Sequence, residues 1–534
     1  MTTPLSHDDS SPGARPPSSR APASAEPRPH PLPGVLAGAL VFGAAAAVLV
    51  LEILAGRILA PYVGVTLETY SAIIGMVLAG IACGTWAGGW FADHLDPRSM
   101  LGPVLVAGGL LAVATLPVVR GLANLAVANQ GAGGGAVLLL AMFGFFPPAA
   151  VLSAVTPTVA KLQLASLHQT GAVVGRLSAL GTAGALVGTF VTGFFLVADF
   201  ATTPIVLALG AALVASGVAV GAILRGGRAG TGTGASGPAT AVLAVLALAA
   251  GALAVGDRCQ LETGYHCARV EPDPDRPGGR LLLLDTLSHS YVDVRDPTHL
   301  EFDYTKTIGD AIAIFRPARR RVDALHIGGG GFTLPRHLAA TRPGSRSLVL
   351  EVDAALPDLA RERLGLRTGA DLRVRAVDAR VGLREQPRGA YDLVVGDAFG
   401  GVAVPWHLTT IELVRDVRRT LRPRGLYALN LIDWPPSDFA RAEVRTLLRG
   451  FRHVALVAPP ALTRGEDGGN FILLASQAPL PLDALRRRIA AREGDEAITT
   501  GRALERFAGD APVLTDEYAP VDQLLTPTPA APSG

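Results

Sequence analysis

The sequence predicts a multi-span α-helical membrane domain followed by an α/β domain of the Rossmann type, with a small antiparallel β domain between the two. Two observations predict this architecture. Residues 34–256 contain only 12 charged side chains, whereas residues 257–534 contain 74. The first density is typical of a lipid-facing chain and the second of a soluble domain. From Val322 onward, strand and helix patterns alternate along the chain, which predicts a parallel sheet covered by helices.

The membrane domain, residues 34–256, is predicted from seven apolar runs, each near the roughly 20 residues that an α-helix needs to cross a bilayer. A disordered tail is expected before them, because residues 1–33 hold nine prolines and few large apolar side chains. We therefore expect a multi-pass protein of the cell membrane, with the lipid bilayer as a partner. The runs cover residues 34–56, 70–91, 101–119, 135–156, 177–198, 203–224 and 238–256.

Small and charged residues within these runs carry further expectations. Glycines recur at four-residue spacing around Gly84 in the second run, and at Gly184 and Gly188 in the fifth, which predicts closely packed helix faces. Glu52 lies in the first run, five residues before Arg57. Because a carboxylate in hydrocarbon is costly, the sequence predicts either an internal ion pair there or a proton or amine site.

The composition excludes several classes of protein. The soluble part has equal numbers of acidic and basic residues, whereas a nucleic-acid-binding protein would need a basic stripe, so we expect no nucleic-acid partner. The three cysteines, Cys83, Cys259 and Cys267, are too few for a disulfide scaffold or a zinc site of four thiolates. The histidines show no metal-binding spacing, so no metal site is expected. The sequence allows a homo-oligomer without requiring one.

The soluble part is predicted to form a small β domain over 257–315 and a Rossmann-like domain over 316–534. Alternating segments broken by prolines and glycines predict a small antiparallel sheet between Cys259 and Leu300. From Val322 onward, the chain has the pattern of the methyltransferase-type nucleoside-binding sheet. Its five parallel strands are predicted at 324–327, 347–352, 372–377, 391–395 and 425–432, its closing hairpin at 453–458 and 470–475, and its clearest helices at 406–421 and 436–450.

A glycine-rich turn and an acid follow the first two parallel strands. The turn is Gly328–Gly331, and Glu351 ends the next strand, 20 residues beyond the last glycine. Glycines such as Gly328 and Gly330 let a ligand lie against the backbone, and a carboxylate at a strand end can accept hydrogen bonds from both ribose hydroxyls. The spacing therefore predicts a nucleoside site.

Two further acids follow the third and fourth strands. Asp378 precedes Ala379, and its carboxylate can accept a hydrogen bond from an adenine amine. Asp397 ends the fourth strand. Because the carboxyl ends of parallel strands share one edge of a sheet, we expect these acids and the glycine turn to line one crevice.

Several segments of the soluble part, taken together, resemble one known family. They are His289-Ser290-Tyr291-Val292-Asp293, Leu300-Glu301-Phe302-Asp303-Tyr304, His326-Ile327 with the four glycines, Leu350-Glu351-Val352-Asp353, Gly396-Asp397-Ala398-Phe399 and Leu514-Thr515-Asp516-Glu517-Tyr518-Ala519-Pro520. Over about residues 257–525 the chain resembles the spermidine synthases, or polyamine aminopropyltransferases. Its first spans are similar to those of the bacterial members that are fused to a membrane domain.

The resemblance implies a transferase that moves an aminopropyl group from decarboxylated S-adenosylmethionine, a co-substrate, to an amine such as putrescine. Methylthioadenosine is released, and no tightly bound cofactor is implied. Glu351 would hold the ribose, and Asp378 with Ala379 would contact the adenine. Asp397 would accept a proton, since an alkylammonium must lose one before its nitrogen can attack the carbon beside a sulfonium. The side chains implied near the amine are His289, Tyr304 and Tyr518.

The chain departs from this family where soluble members carry acids. Gly331 and Gly400 stand where those members have Asp, and Thr305-Lys306 stand where they have His-Glu. The acceptor amine therefore stays open. Two alternatives also remain: an S-adenosylmethionine-dependent methyltransferase on the same sheet, and a non-catalytic sensor or transporter that binds a nucleoside or a polyamine.

The side of the membrane on which the soluble part lies is predicted from the basic residues. With the N-terminus inside, the inner segments carry eight basic residues and the outer loops only Arg57 and Arg120, which favours this orientation. Seven spans then place the soluble part outside, where Cys259 and Cys267 can form a disulfide. An even number of spans would place it in the cytoplasm, where the implied donor is made.

Overall fold

The computed structural model of the chain describes residues 32–64, 67–128, 134–164, 170–225, 246–251, 259–317, 320–401 and 403–526. Apart from Leu32 and Pro33, the predicted disordered tail lies outside the described residues. Most of the seventh predicted span does so too; residues 246–251 of that span are described, and they are helical.

An apolar bundle of α-helices forms the N-terminal part. Its helices are α1 (Gly34–Val63), α2 (Leu67–His94), α3 (Pro97–Ala128), α4 (Gly134–Gly144), α5 (Phe146–Ser153), α6 (Val155–Gln163), α7 (Thr170–Val191) and α8 (Thr202–Arg225). Over the described residues, six helical segments are long and apolar enough to cross a membrane. They correspond to the first six predicted runs. The fourth segment consists of α4, α5 and α6, and the fifth continues from α7 through a π-helical turn, Thr192–Leu196, to Asp199.

Glycines hold α1 against α7 and α2 against α5. A Cβ on Gly184 would overlap the backbone of Phe42, and one on Gly84 would overlap the backbone of Ala150. Such close approach gives van der Waals packing between helices, which is the kind of contact that helices in lipid depend on. The prediction of closely packed glycine faces is confirmed.

A four-stranded antiparallel sheet follows the bundle. Its strands are β1 (Leu261–Glu262), β2 (Cys267–Pro272), β3 (Gly279–Leu284) and β4 (Leu287–Asp293). They pair in chain order, β1-β2-β3-β4, and a disulfide joins Cys259 to Cys267 at the β1 edge. The predicted small antiparallel sheet is confirmed.

An eight-stranded sheet forms the centre of the C-terminal part. Its strands are β5 (Asp323–Ile327), β6 (Arg346–Glu351), β7 (Leu372–Ala376), β8 (Tyr391–Gly396), β9 (Leu421–Asp433), β10 (His453–Ala458), β11 (Gly469–Ser476) and β12 (Ala497–Thr500). Their order is β12-β10-β11-β9-β8-β5-β6-β7. Strands β5 to β9 pair in parallel, and the other three pair antiparallel. The five parallel strands and the closing hairpin were predicted, whereas β12 was not.

Helices cover both faces of this sheet. They are α9 (Asp303–Phe315), α10 (Thr333–Thr341), α11 (Leu356–Arg363), α12 (Ala379–Arg384), α13 (Ile411–Thr420), α14 (Asp438–Gly450), α15 (Pro460–Arg464), α16 (Leu482–Ala491), α17 (Gly501–Ala508) and α18 (Val521–Leu524). Helices α13, α14 and α17 share one apolar core with the sheet, and α9, α10 and α16 share the other. The small sheet packs against α11 in a further cluster. The crevice at the carboxyl ends of the strands stays outside these layers.

Arg57, near the end of α1, joins the bundle to the small sheet. Its guanidinium forms an ion pair with Glu262 at 3.2 Å and donates to the carbonyl oxygen of Thr263. Glu262 also accepts a hydrogen bond from the backbone N–H of Thr202, where α8 begins, at 2.8 Å. The prediction of an ion pair between Arg57 and Glu52 is therefore wrong, because the guanidinium of Arg57 binds residues of the small β domain instead.

Candidate active site

The crevice lies above β5, where the strand order of the sheet reverses. Strand β6 flanks β5 on one side and β8 flanks it on the other, so three carboxyl ends meet there. The turn Gly328–Gly331 follows β5, Glu351 ends β6, and Asp397 follows β8. Open α/β sheets bind ligands at such a point. The structure thus brings the predicted turn and two of the predicted acids together.

Glu351 holds the glycine turn through backbone hydrogen bonds. Its carboxylate accepts from the N–H groups of Gly329 at 2.7 Å, Gly330 at 3.3 Å and Asp353 at 2.9 Å. Burial raises the pKa of Glu351, and these hydrogen bonds oppose that rise. Because each carboxylate oxygen can accept more than one hydrogen bond, Glu351 can hold the turn and a ribose hydroxyl together.

Gly328 and Gly330 let the turn pass between the Asp397 loop and the small sheet. Both have positive φ angles, +89° and +49°, which residues with side chains rarely adopt. A Cβ on Gly328 would overlap the carbonyl oxygen of Asp397, and one on Gly330 would lie 2.8 Å from the ring of His289. Glycine is therefore required at both positions for this close approach.

Two neutral donors hold the half-buried carboxylate of Asp397. Its Oδ1 accepts from the side-chain amide of Asn430 at 2.9 Å, and its Oδ2 accepts from the hydroxyl of Tyr304 at 3.3 Å. Asn430 in turn accepts from the amide of Asn470 at 2.9 Å. Burial raises the pKa of Asp397 to about 6, and the two hydrogen bonds limit the rise. Such a carboxyl is mostly ionised at neutral pH and can accept a proton there.

Sequence reasoning missed Asn430 and Asn470. Asn430 interrupts the apolar residues of β9 and is 2% exposed, and a buried amide in an apolar strand needs a hydrogen-bond partner. That was the available signal. Its partner, Asp397, could not be deduced, because the pairing of β9 with β8 is a property of the sheet order.

Asp378 follows β7 and caps α12. Its Oδ1 accepts from the N–H of Val381 at 3.1 Å, and its Oδ2 lies 2.9 Å from Nε2 of His407. Ala379 begins α12 and is 6% exposed. The structure therefore shows a helix cap, supported by a histidine that sequence reasoning did not single out. The adenine contact of Asp378 and Ala379 stays a prediction.

His289 lies on β4 beside the glycine turn. Its Nδ1 is 3.1 Å from Oγ of Ser290, and that hydroxyl accepts from the N–H of Gly331 at 3.0 Å. Burial, together with the neighbouring His266, lowers the pKa of His289 to about 4. Its ring is therefore neutral at physiological pH. His289 reaches the crevice without bringing a charge.

Tyr518 lies in a turn of the C-terminal segment and is 59% exposed. The backbones of Tyr518 and Thr515 exchange two hydrogen bonds of 3.0 Å. Asp516 ties this segment to α12, because it accepts from the guanidinium of Arg380 at 2.7 Å. The structure thus places Tyr518 in a segment beside α12, and its contact with an amine stays a prediction.

The three predicted acids are held by different neighbours. Glu351 is bound by backbone N–H groups, Asp397 by side-chain donors and Asp378 by a helix N-terminus. Within the parts of the chain that the structure describes, no group of three or more His, Cys, Asp or Glu side chains is placed to hold a metal ion.

Comparison with known proteins finds two curated relatives. The chain is 26% identical over 234 residues to a polyamine aminopropyltransferase of Vibrio vulnificus, across 40% of this chain and 72% of the relative. It is 23% identical over 220 residues to a polyamine aminopropyltransferase of Chromobacterium violaceum, across 41% of this chain and 81% of the relative. The chain is a relative of the spermidine synthases. The predicted family and the predicted transferase class are confirmed.

Solved structures of spermidine synthases also align with the chain. A probable spermidine synthase from Corynebacterium glutamicum is 27% identical, with a TM-score of 0.46, over 50% of this chain and 98% of that one. The spermidine synthase of Thermotoga maritima is 16% identical, with a TM-score of 0.33, over 50% and 86%. No family model matches the chain.

Proposed function

We propose that this chain is a membrane-bound aminopropyltransferase of the spermidine synthase type. It transfers the aminopropyl group of decarboxylated S-adenosylmethionine to an amine and releases methylthioadenosine. The observation that carries the proposal is the carboxylate of Asp397, held by Tyr304 and Asn430 beside a glycine turn. The names of both curated relatives describe the same class of reaction.

Asp397 accepts the proton in this reaction. The acceptor arrives as an alkylammonium, and its nitrogen gains a free electron pair when a proton passes to Asp397. That pair attacks the carbon beside the sulfonium sulfur, so a C–N bond forms and the C–S bond breaks with its electrons left on sulfur. Methylthioadenosine leaves as a neutral thioether, and the product amine keeps the positive charge.

The donor lies along the edge of the sheet as a co-substrate. Glu351 binds the ribose hydroxyls, and the backbone at Gly328 and Gly330 lies against the nucleoside. Asp378 and Ala379 contact the adenine from the start of α12. The acceptor amine lies on the other side of the sulfonium, near the side chains of His289, Tyr304 and Tyr518.

The apolar bundle supports a multi-pass location in the cell membrane. Its six long apolar segments match the length needed to cross a bilayer. We propose that residues 34–256 form the membrane domain, and that the β domain, 257–315, and the Rossmann-like domain, 316–534, stand in water.

One observation favours a methyltransferase as the second candidate. A Cβ on Gly331 would lie 2.7 Å from the Cβ of Ser290, so the end of the turn has no room for an acidic side chain. Intact S-adenosylmethionine carries a carboxylate on its methionine part, which an acid at this place would repel. Gly331 is compatible with that donor as well.

Analysis of the products shows which of the two sulfonium donors the protein uses. Purified full-length protein is incubated with either sulfonium donor and a panel of amines, and the products are identified by mass spectrometry. The proposal predicts methylthioadenosine and an aminopropylated amine, from the decarboxylated donor alone. S-adenosylhomocysteine and a methylated product would support the methyltransferase instead. Nucleoside binding without either product would overturn both enzyme hypotheses and favour a non-catalytic sensor.

A further inference from the structure

We infer that the acceptor amine carries one positive charge, on the nitrogen that reacts, and that the rest of the acceptor is neutral. The inference rests on the proposed function, because it concerns the amine that Asp397 deprotonates. The acceptor class is therefore the monoamines, and diamines are not the preferred acceptors.

The partners of Asp397 bring no second negative charge. They are a phenol hydroxyl, Tyr304, and a side-chain amide, Asn430, behind which lies a second amide, Asn470. His289, on the small sheet beside the turn, is neutral because burial lowers its pKa to about 4. Among these described groups, Asp397 alone is negatively charged at physiological pH.

The acids that flank Tyr304 along the chain are bound elsewhere. Asp303 forms an ion pair with Lys306 at 2.9 Å, and its side chain is 80% exposed. Glu301 pairs with His299 at 2.9 Å, with about half of its side chain exposed. Both acids thus face solvent with partners of their own. A second ammonium group would have to compete with those partners.

The two glycine positions near the reacting atoms provide no acid either. Gly331 is closed to any side chain, because its Cβ would lie 2.7 Å from Ser290. Gly400, three residues after Asp397, is open, since its Cβ would meet only Pro405, at 3.9 Å. An ammonium placed in a partly buried site without a counter-charge loses hydration that nothing replaces. A neutral tail avoids this cost.

Amine binding tests the inference directly. The full-length protein is saturated with methylthioadenosine and titrated with butylamine and with 1,4-diaminobutane, which have the same chain length. We expect butylamine to bind at least as tightly as the diamine. A diamine that binds tenfold tighter would overturn the inference while leaving the proposed transfer in place. Binding of methylthioadenosine but of neither amine would overturn the proposed function, and the inference with it.

A variant adds the missing charge. Gly400→Asp introduces a carboxylate at the open position, and Gly400→Asn introduces a neutral side chain of the same size. Two opposite charges within about 4 Å of each other near a protein surface change the binding affinity by about tenfold. We therefore expect the affinity for diaminobutane relative to butylamine to rise about tenfold in Gly400→Asp, and to stay unchanged in Gly400→Asn. Equal ratios in the two variants would count against the inference.

Discussion

Asp397 and Glu351 are both acids whose pKa is raised by burial, yet they meet different partners. Backbone N–H groups surround Glu351 and belong to the turn that it holds. Asp397 meets two side-chain donors, Tyr304 and Asn430. The first arrangement suits the binding of hydroxyl groups, and the second suits the exchange of a proton.

The proton-acceptor role predicts a rise of kcat/KM with pH that levels off above an apparent pKa near 6. Below the pKa of Asp397, about 6, the carboxyl already carries a proton and cannot accept another. Asn430→Leu removes a donor that stabilises the carboxylate, so the pKa of Asp397 should increase and the profile should move to higher pH. Initial rates from about pH 5 to 8 check this. A profile that stays in place or moves to lower pH would contradict the role.

Glu351→Gln should weaken nucleoside binding by about tenfold or more while the fold survives. The amide matches the carboxylate in size but loses charge-assisted hydrogen bonds, worth roughly 1.5 to 3 kcal/mol each. Calorimetric titration with methylthioadenosine measures the change. Glu362→Gln, which alters an exposed acid of α11, is the matched control and should bind like the unmodified protein. Unchanged binding in Glu351→Gln would remove Glu351 from the site.

The sequence identifies the acids of the site but not the groups that hold them. Asp397 and Glu351 stand at the ends of apolar strands, so their position along the chain already indicates their place in the sheet. Asn430 reaches Asp397 from another strand, Asn470 supports Asn430, and His407 reaches Asp378 from a loop. Those contacts depend on which strands and loops lie side by side, and no local pattern encodes that.

At the scale of elements, the turn Gly328–Gly331 is held from three directions. Glu351 at the end of β6 binds two of its N–H groups, and Ser290 on β4 binds that of Gly331. From β8, the N–H of Asp397 donates to the carbonyl oxygen of Ile327, just before the turn, at 2.9 Å. A change in the turn should therefore affect the donor site and the Asp397 loop together.

Gly328→Ala should lower the thermal stability of the protein and sharply weaken methylthioadenosine binding. Its Cβ would overlap the carbonyl oxygen of Asp397, whereas a Cβ on Gly389, which also has a positive φ, +59°, meets no atom within 4 Å. Gly389→Ala is therefore the control, with only the backbone strain of roughly 1 to 2 kcal/mol. Thermal unfolding and titration of both variants separate the two effects. Equal losses would show that the close approach does not matter.

The strands that contain long apolar runs were predicted from the sequence, and the short strand β12 was not. Four of the five parallel strands, β5, β6, β8 and β9, are largely buried, and such continuous apolar runs stand out in a sequence. Strand β12 spans only Ala497–Thr500 at the edge of the sheet, and its residues are half-buried or exposed. A segment this short carries too little periodicity to be distinguished from a loop.

At the scale of the whole molecule, one end of the bundle is basic. The side-chain amide of Gln163, at the end of α6, donates to the carbonyl oxygen of Leu32, just before α1, at 2.5 Å. Beside it, Lys161 forms an ion pair of 2.6 Å with Asp93, near the end of α2. Arg98 begins α3 after the short connection from α2. Leu32, the first described residue, thus lies at the basic end of the bundle.

The soluble part lies at the opposite end. Arg57 binds the small sheet there, and Arg120 near the end of α3 donates to Thr203 at the start of α8, at 2.8 Å. Helices α3 and α8 are antiparallel, since Gly102 lies against Gly217, so α8 ends at the basic end. Residue 259, the first described residue of the small β domain, lies at the same end as Arg57, and most of the seventh predicted span, 238–256, lies outside the described residues.

We therefore predict that the soluble part faces away from the cytoplasm. Basic ends of membrane bundles face inward, and the disulfide between Cys259 and Cys267 suits an oxidising compartment. In a Cys83→Ala background, Asp483→Cys, at a surface position of the soluble part, should react with a membrane-impermeant maleimide in intact cells. Ser99→Cys, at the basic end, should react only after lysis. The reverse pattern would place the soluble part in the cytoplasm.

The central claim is that Asp397 takes the proton that frees the amine for attack, and Asp397→Asn tests it most directly. The amide keeps the size of the side chain but cannot accept a proton. Release of methylthioadenosine is followed in the full-length variant with decarboxylated S-adenosylmethionine and the best acceptor, and donor binding is measured alongside. The account predicts nearly unchanged donor binding with turnover lower by about 10² to 10⁴-fold. Turnover close to that of the unmodified protein would contradict it.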